Sequence, residues 1–128
     1  DYRLEIPDHF YRCVGADTAG DACSETIALL KRNRWLGPTC ILFSDDLLLE
    51  GGIAAIRQCG LRIPEDICVA AIRIAEEEKY QGCPVLSWRF PPSEIAGAAV
   101  EQMFSGMRGP LHKSGRVHIV EGNLCDEN

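Results

Sequence analysis

The stretch that decides the fold is residues 39–72, which read TCILFSDDLLLEGGIAAIRQCGLRIPEDICVAAI. It begins and ends with apolar runs of strand length, 39–43 and 67–72. Continuous apolar runs are typical of parallel strands that are covered on both faces. With a helix between them, two such strands form a right-handed βαβ unit, which is what the stretch predicts.

The segment between the two runs has the periodicity of an amphipathic helix. Its apolar positions repeat at helical spacing: Leu49, Ile53 and Ile56. Gly60 stands where a helix C′ residue is expected, and Pro64 prevents continuation. Gly51 and Gly52 lie inside this helix, where each costs about 1 kcal/mol relative to alanine. We therefore expect a neighbouring element to approach the helix closely at these glycines.

The same alternation continues on both sides of this stretch. Helices are predicted over 21–33 and 92–108, and strands over 11–14, 85–88 and 116–120. Residues 73–84 are predicted to form a polar loop. Apolar strands that alternate with amphipathic helices indicate the α/β class, here a three-layer α/β/α Rossmann-like sandwich with a mainly parallel sheet.

Length and charge narrow the possible functions. The chain has 128 residues, which is enough for one domain with a sizeable core, and its formal net charge is −6. Nucleic-acid binding needs a basic face, and anionic membrane surfaces attract basic segments, so the acidic chain is expected to bind neither by itself. Its apolar runs are far shorter than the ~20 residues of a membrane span.

The seven cysteines are odd in number, widely spaced and without a Cys-x-x-Cys pair. Cys40, Cys59 and Cys68 lie in apolar surroundings and are predicted to be small buried hydrophobes with free thiols, which is typical of a reducing cytosol. The three histidines have no metal-ligand spacing with each other or with the cysteines. No metal site and no cofactor are predicted.

Ser44, Asp45 and Asp46 follow the strand 39–43, at the edge where ligands bind in open parallel sheets. Three interpretations of the acid pair are open: helix capping, a catalytic carboxylate pair, or a Mg²⁺ site. The chain offers neither a Walker-type phosphate loop nor a Gly-x-Ser-x-Gly elbow. We therefore predict no enzyme activity.

Residues 38–69 resemble the LacI/GalR family of bacterial transcription regulators. The most specific match is Gly60-Leu-Arg-Ile-Pro-Glu-Asp-Ile-Cys-Val69, and the acid pair with its helix glycines is similar as well. Pro84-Val85-Leu86, Glu94-Ile-Ala-Gly97 and Arg116-Val117 extend the resemblance over about residues 11–124.

The resemblance implies that the chain is the C-terminal part of an effector-binding domain similar to periplasmic sugar-binding proteins. Residues 11–90 and 115–124 would form the C-terminal subdomain, and 91–114 would pack on the N-terminal subdomain. The N-terminal subdomain and the DNA-binding head would lie outside this chain, in agreement with a start at Asp1 instead of Met. The class of the head stays open.

The family pattern also implies an effector site. Asp45 would contact the effector, and Asp46 would cap the helix. Asp17 and Thr18 stand where the family often has an aromatic platform, and Phe90 replaces a glutamine near the crossover between subdomains.

Arg73 stands where many relatives have a sugar-binding acid. A guanidinium there favours an acidic or phosphorylated effector over a neutral sugar. In the alternative interpretation, Arg73 is an exposed loop arginine paired with residues 76–78. A third alternative is a degenerate pocket that binds no small-molecule effector.

The function implied is allosteric: an effector in the cleft between subdomains shifts the population between closure states and so alters operator binding. The expected partners are a small-molecule effector, a second copy in a homodimer, and operator DNA through the missing head only. The expected location is the cytoplasm, with no membrane contact. The alternatives are a periplasmic sugar-binding receptor of a transport system, a Mg²⁺-dependent enzyme, and a module that only dimerises.

Overall fold

The computed structural model describes residues 6–15, 18–32, 39–74, 83–108 and 119–126. Within these residues, three helices and four strands follow a short 3-10 helix at Asp8–Phe10. The helices are α1 (Ala19–Arg32), α2 (Asp46–Gln58) and α3 (Pro92–Arg108). The strands are β1 (Cys40–Phe43), β2 (Cys68–Arg73), β3 (Leu86–Arg89) and β4 (Asn123–Asp126). None of the described helices is long and apolar enough to cross a membrane.

The four strands form one sheet in the order β1-β2-β3-β4. β1, β2 and β3 are parallel, and β4 pairs antiparallel with β3. The predicted α/β class, the mainly parallel sheet and the βαβ unit of residues 39–72 are therefore confirmed.

The strand predicted over 11–14 was wrong, and the strand predicted over 116–120 is tested only at residues 119 and 120, which are not in a strand. Residues 11–14 form no strand; they lie across a groove from β1. The last strand begins at Asn123, after the predicted 116–120, of which 116–118 lie outside the described residues. Just before this strand, a Cβ at Gly122 would lie 2.2 Å from Nε1 of Trp88, so only glycine lets the chain approach β3 so closely.

The core lies between the helices and one face of the sheet. The predicted apolar positions of α2, Leu49, Ile53 and Ile56, are all buried. They pack with the inward residues of the strands and of α1: Leu29, Ile41, Phe43, Val69, Ala71 and Val85. Gly60 has a φ of +75°, as the helix end requires.

The close approach predicted at the two helix glycines is confirmed. A Cβ on Gly51 would lie 2.1 Å from the backbone oxygen of Ala19 in α1. A Cβ on Gly52 would lie 2.0 Å from Cζ of Phe43. The glycines therefore let α2 pack directly on α1 and on β1, which offsets their cost in the helix.

The described helices cover only one face of the sheet, and cover on the second face stays a prediction. β1 alternates between exposed and buried residues, and Leu42 is 67% exposed. Leu86 and Trp88 of β3 are exposed on the same face as Leu42. The second helical layer of the predicted sandwich is not among the described residues.

Cys40 and Cys68 begin β1 and β2 on this uncovered face, and both are exposed. The prediction that they are buried was therefore wrong, because an apolar run does not reveal which face of a sheet is covered. Cys59 is half-buried at the end of α2.

Helix α3 packs separately from the core. Its apolar residues Val100, Phe104 and Met107 are 49%, 55% and 76% exposed. This exposure leaves an apolar face on α3 that no described element covers.

Candidate functional site

The candidate site is the edge of the sheet where the three parallel strands end. β1 ends at Phe43, β2 at Arg73 and β3 at Arg89, so the residues that follow them meet at one edge. The backbone N–H of Phe90 donates to the carbonyl oxygen of Arg73 over 3.0 Å. The topology thus brings together three of the predicted positions, Asp45, Arg73 and Phe90.

An ion pair between Asp46 and Arg73 organises this edge. Nε of Arg73 donates to Oδ1 of Asp46 over 2.7 Å, and the backbone N–H of Ile74 donates to Oδ2 over 2.9 Å. The Arg73 side chain is fully buried, whereas that of Asp46 is 26% exposed. The pair joins the first turn of α2 to the end of β2, and it satisfies a charge that would be costly to bury alone.

The prediction that Asp46 caps the helix was wrong, because Asp45 does so. Asp45 has an extended backbone (φ −160°, ψ 171°), and its Oδ1 accepts from the backbone N–H of Leu48 over 2.8 Å. This is the geometry of an N-cap residue. Asp46 is already helical, and its carboxylate is directed toward β2. The effector contact predicted for Asp45 stays a prediction.

The alternative in which Arg73 is an exposed loop arginine was also wrong, because its side chain has no exposed surface. Residues 76–78, its suggested partners, lie outside the described residues. An effector could touch the guanidinium only after a local rearrangement. In the described conformation Arg73 holds Asp46 in place.

Thr18 is the N-terminal cap of α1, and Asp17 lies outside the described residues. Oγ1 of Thr18 accepts from the backbone N–H of Asp21 over 3.1 Å and donates to the Asp21 carboxylate. The bond from the Asp21 backbone to Thr18 is that of an N-cap side chain, which stabilises the start of α1. An effector contact by Thr18 or Asp17 stays a prediction.

The pairing of Asp46 with Arg73 is the feature that sequence reasoning missed. Both residues were singled out, but they lie 27 positions apart and were assigned separate roles. The available signal was the topology: acids at the end of one strand and an arginine at the end of the next come together in a parallel sheet.

A mainly apolar groove of about 240 Å³ adjoins the candidate site along β1. Its lining includes Phe10, Tyr11 and Arg12 from the segment before α1, and Ile41 and Ser44 from β1 and its end. Within the described residues, no group of three or more His, Cys, Asp or Glu side chains could hold a metal ion.

The carboxyl edge, where this mainly parallel sheet gathers its polar groups, is the edge at which ligands bind in open α/β domains. Residues 3–126 match the family of periplasmic binding protein-like domains. The chain belongs to this family, which it matches over nearly its whole length.

Curated relatives are transcription regulators. The repressor PurR of Aliivibrio fischeri is 27% identical over 103 residues, which cover 80% of this chain and 29% of PurR. The ribose operon repressor of Haemophilus influenzae is 30% identical over 73 residues, which cover 57% of this chain and 22% of that repressor. The chain thus spans less than a third of either relative.

Solved structures share the fold of this chain. A LacI family regulator from Arthrobacter sp. FB24, solved with lactose, is 25% identical with a TM-score of 0.70, over 87% of this chain and 41% of that one. A LacI-family regulator from Corynebacterium glutamicum is 22% identical with a TM-score of 0.68, over 87% of this chain and 42% of that one.

Proposed function

We propose that this chain is the C-terminal part of the effector-sensing domain of a LacI/GalR-type transcription regulator. The carrying observation is that a chain of this family places Asp45, the Asp46–Arg73 pair and Phe90 together at the edge of the sheet. The named relatives are repressors and regulators, which favours this function over a transport receptor. It also favours a cytoplasmic location and argues against an enzyme.

The whole protein would work through an N-terminal subdomain and a DNA-binding head that lie outside this chain. The exposed apolar face of α3 would then pack on the N-terminal subdomain, and residues 91–114 would cross to it. The protein would act as a homodimer on operator DNA. Effector binding would favour one closure state and so change the affinity for the operator.

The burial of Arg73 and its ion pair with Asp46 change the class of effector that we expect. The guanidinium is buried and already compensated by the Asp46 carboxylate. It therefore offers little attraction to an acidic or phosphorylated ligand, whereas the Asp45 carboxylate can accept hydrogen bonds from hydroxyl groups. We favour a neutral, hydroxyl-rich effector. The lactose bound to the Arthrobacter regulator is of this class.

Substitution of Asp45 by Asn tests this assignment on the full-length protein. Asparagine caps helices as well as aspartate does, so Asp45→Asn should keep the melting temperature within a few degrees. Loss of a charged hydrogen bond to the effector, worth roughly 1.5–3 kcal/mol, should weaken effector binding by about tenfold or more.

The measurement is calorimetric titration with neutral sugars, sugar phosphates and purines, first with the unmodified protein. Asp66→Asn is the matched control, because Asp66 lies in the loop between α2 and β2, away from the site. If Asp45→Asn and Asp66→Asn bind the effector with equal affinity, Asp45 does not contact it. Preferential binding of phosphorylated ligands would overturn the neutral class.

A further inference from the structure

Two cysteines face each other at the edge of the sheet opposite the candidate site. Cys40 and Cys68 are paired positions in the parallel register of β1 and β2, and the backbone N–H of Cys68 donates to the carbonyl oxygen of Thr39 over 2.9 Å. Neighbouring strands lie about 4.8 Å apart. Disulfide-bonded residues have their Cα atoms at about 4.4–6.8 Å, so the two backbones already lie within this range.

The two side chains also project from the same face. Paired residues of neighbouring strands share a face of the sheet, and here it is the face that the described helices leave uncovered. Both cysteines are exposed. Partial desolvation of its sulfur, and then the neighbouring thiol of Cys68, raise the pKa of the Cys40 thiol, which agrees with two sulfur atoms close in space.

None of the other five cysteines shares this geometry. Cys83 is buried, and Cys125 is paired across the sheet with Ser87. The remaining three lie outside the strands: Cys13, Cys23 and Cys59. The sequence alone does not distinguish the seven thiols, whereas the register of β1 and β2 places Cys40 next to Cys68.

We propose that Cys40 and Cys68 form a cross-strand thiol pair that small-molecule disulfides oxidise reversibly to an intrachain disulfide. The thiolate of one cysteine attacks a sulfur of the small disulfide, which gives a mixed disulfide and releases one small thiolate. The second cysteine loses its proton to water and attacks the protein sulfur of the mixed disulfide. The Cys40–Cys68 bond forms and a second small thiolate leaves, so the protein loses two electrons and the small disulfide gains them.

The bond would fasten β1 to β2 at their amino ends. Asp46 and Arg73 already join the same βαβ unit at the other end of the two strands. After oxidation, the βαβ unit would therefore be linked at both ends, by the disulfide at one and by the ion pair at the other. The disulfide would not occupy the effector site. Reduction by excess thiol would reopen it.

The test is oxidation of the reduced native protein with oxidised glutathione, followed by alkylation and non-reducing peptide mass mapping. A peptide bridged through Cys40 and Cys68 should be the main product, and it should disappear after treatment with excess reduced glutathione. Cys40→Ser should instead carry glutathione on Cys68. Cys59→Ser, the matched control, should form the bridge as the unmodified protein does.

Oxidation in urea separates proximity in the fold from general thiol reactivity, because the unfolded chain should lose the preference for this pair. Circular dichroism of each serine variant checks that it is folded, and only folded variants are scored. The proposal is overturned if native protein carries separate glutathione adducts on both cysteines, bridges either one to another cysteine, or leaves both unreacted.

Discussion

At the scale of single residues, neighbouring acids have different tasks because their backbones differ. Asp45 is extended and caps α2 through Leu48, whereas Asp46 is the first helical residue and holds Arg73 and Ile74. A carboxylate that accepts from both a guanidinium and a backbone N–H fixes the relative position of two elements. The first turn of α2 and the end of β2 are therefore held in a fixed arrangement.

Removal of Asp46 should lower the free energy of unfolding more than removal of Arg73 does. Asp46→Ala leaves the buried Arg73 without this carboxylate, and breaking a buried pair in this way costs about 3–5 kcal/mol. Arg73→Met removes the buried charge and leaves Asp46, 26% exposed, within reach of water, so it should cost less.

Urea unfolding of both variants measures this difference in the free energy of unfolding. Glu101→Ala, which removes an exposed acid of α3, serves as the control and should change it by less than about 0.5 kcal/mol. If Arg73→Met proves as costly as Asp46→Ala or costlier, the asymmetry argued from burial is wrong.

At the scale of elements, hydrogen bonds between Arg62 and Asp66 hold the two ends of the loop between α2 and β2 together. The carboxylate of Asp66 accepts from Nε of Arg62 over 3.0 Å, from its Nη2 over 3.1 Å, and from its backbone N–H over 2.8 Å. The backbone N–H of Asp66 donates back to the carbonyl oxygen of Arg62 over 3.0 Å. This closed loop leads the chain directly from Gly60 into β2.

Stability should depend on pH through this loop. The side-chain hydrogen bonds of Arg62 hold the pKa of Asp66 below its ordinary value of 3.8. A carboxyl whose pKa is lowered by folding contributes stability above pH 3.8, and this contribution disappears as the pH falls through the folded-state pKa.

Asp66→Asn should therefore narrow the difference in melting temperature between neutral and strongly acidic solution. Both group and partner are exposed at the surface, so the change should be small and should shrink further in high salt. The measurement is a set of thermal melts from neutral pH to below 3.8. Glu121→Gln, another exposed acid, is the control, and an equal change in both variants would contradict the account.

At the scale of the whole molecule, two apolar surfaces stay uncovered by the described residues. One is the outer face of the sheet around Leu42 and Trp88, and the other is the apolar face of α3. The chain also spans under half the length of its structural relatives. Both surfaces are suited to contact with the rest of a larger protein.

Sequence reasoning predicted the parts of the fold that depend on local pattern. The strand, helix and strand of residues 39–72 follow from apolar runs, periodicity and Gly60. The face that the helices cover could not be predicted, because the same apolar run fits a strand covered on one side or on both. Residues 11–14 were too short a pattern to distinguish a strand from a groove wall.

The sequence was sufficient to predict where the candidate site lies, but not which of its side chains contact each other. The carboxyl edge of the sheet and the interest of Asp45 and Asp46 followed from topology and residue type, whereas Arg73 was singled out from the family resemblance. The pairing of Asp46 with Arg73 depends on the register between β1 and β2 and on the first turn of α2, which is a tertiary property. Capping was assigned to the wrong acid because a one-residue shift of the helix start exchanges the two roles.

The measurement that tests the central claim most directly is the affinity of the full-length protein for operator DNA, with and without its effector. The DNA is selected from fragmented genomic DNA, and the effector is the ligand found by titration. Coupling between the two sites is typically 1–3 kcal/mol, so the effector should change operator affinity by about 5-fold to 150-fold. Specific DNA binding that the effector leaves unchanged would contradict the account, as would the absence of specific binding in either state.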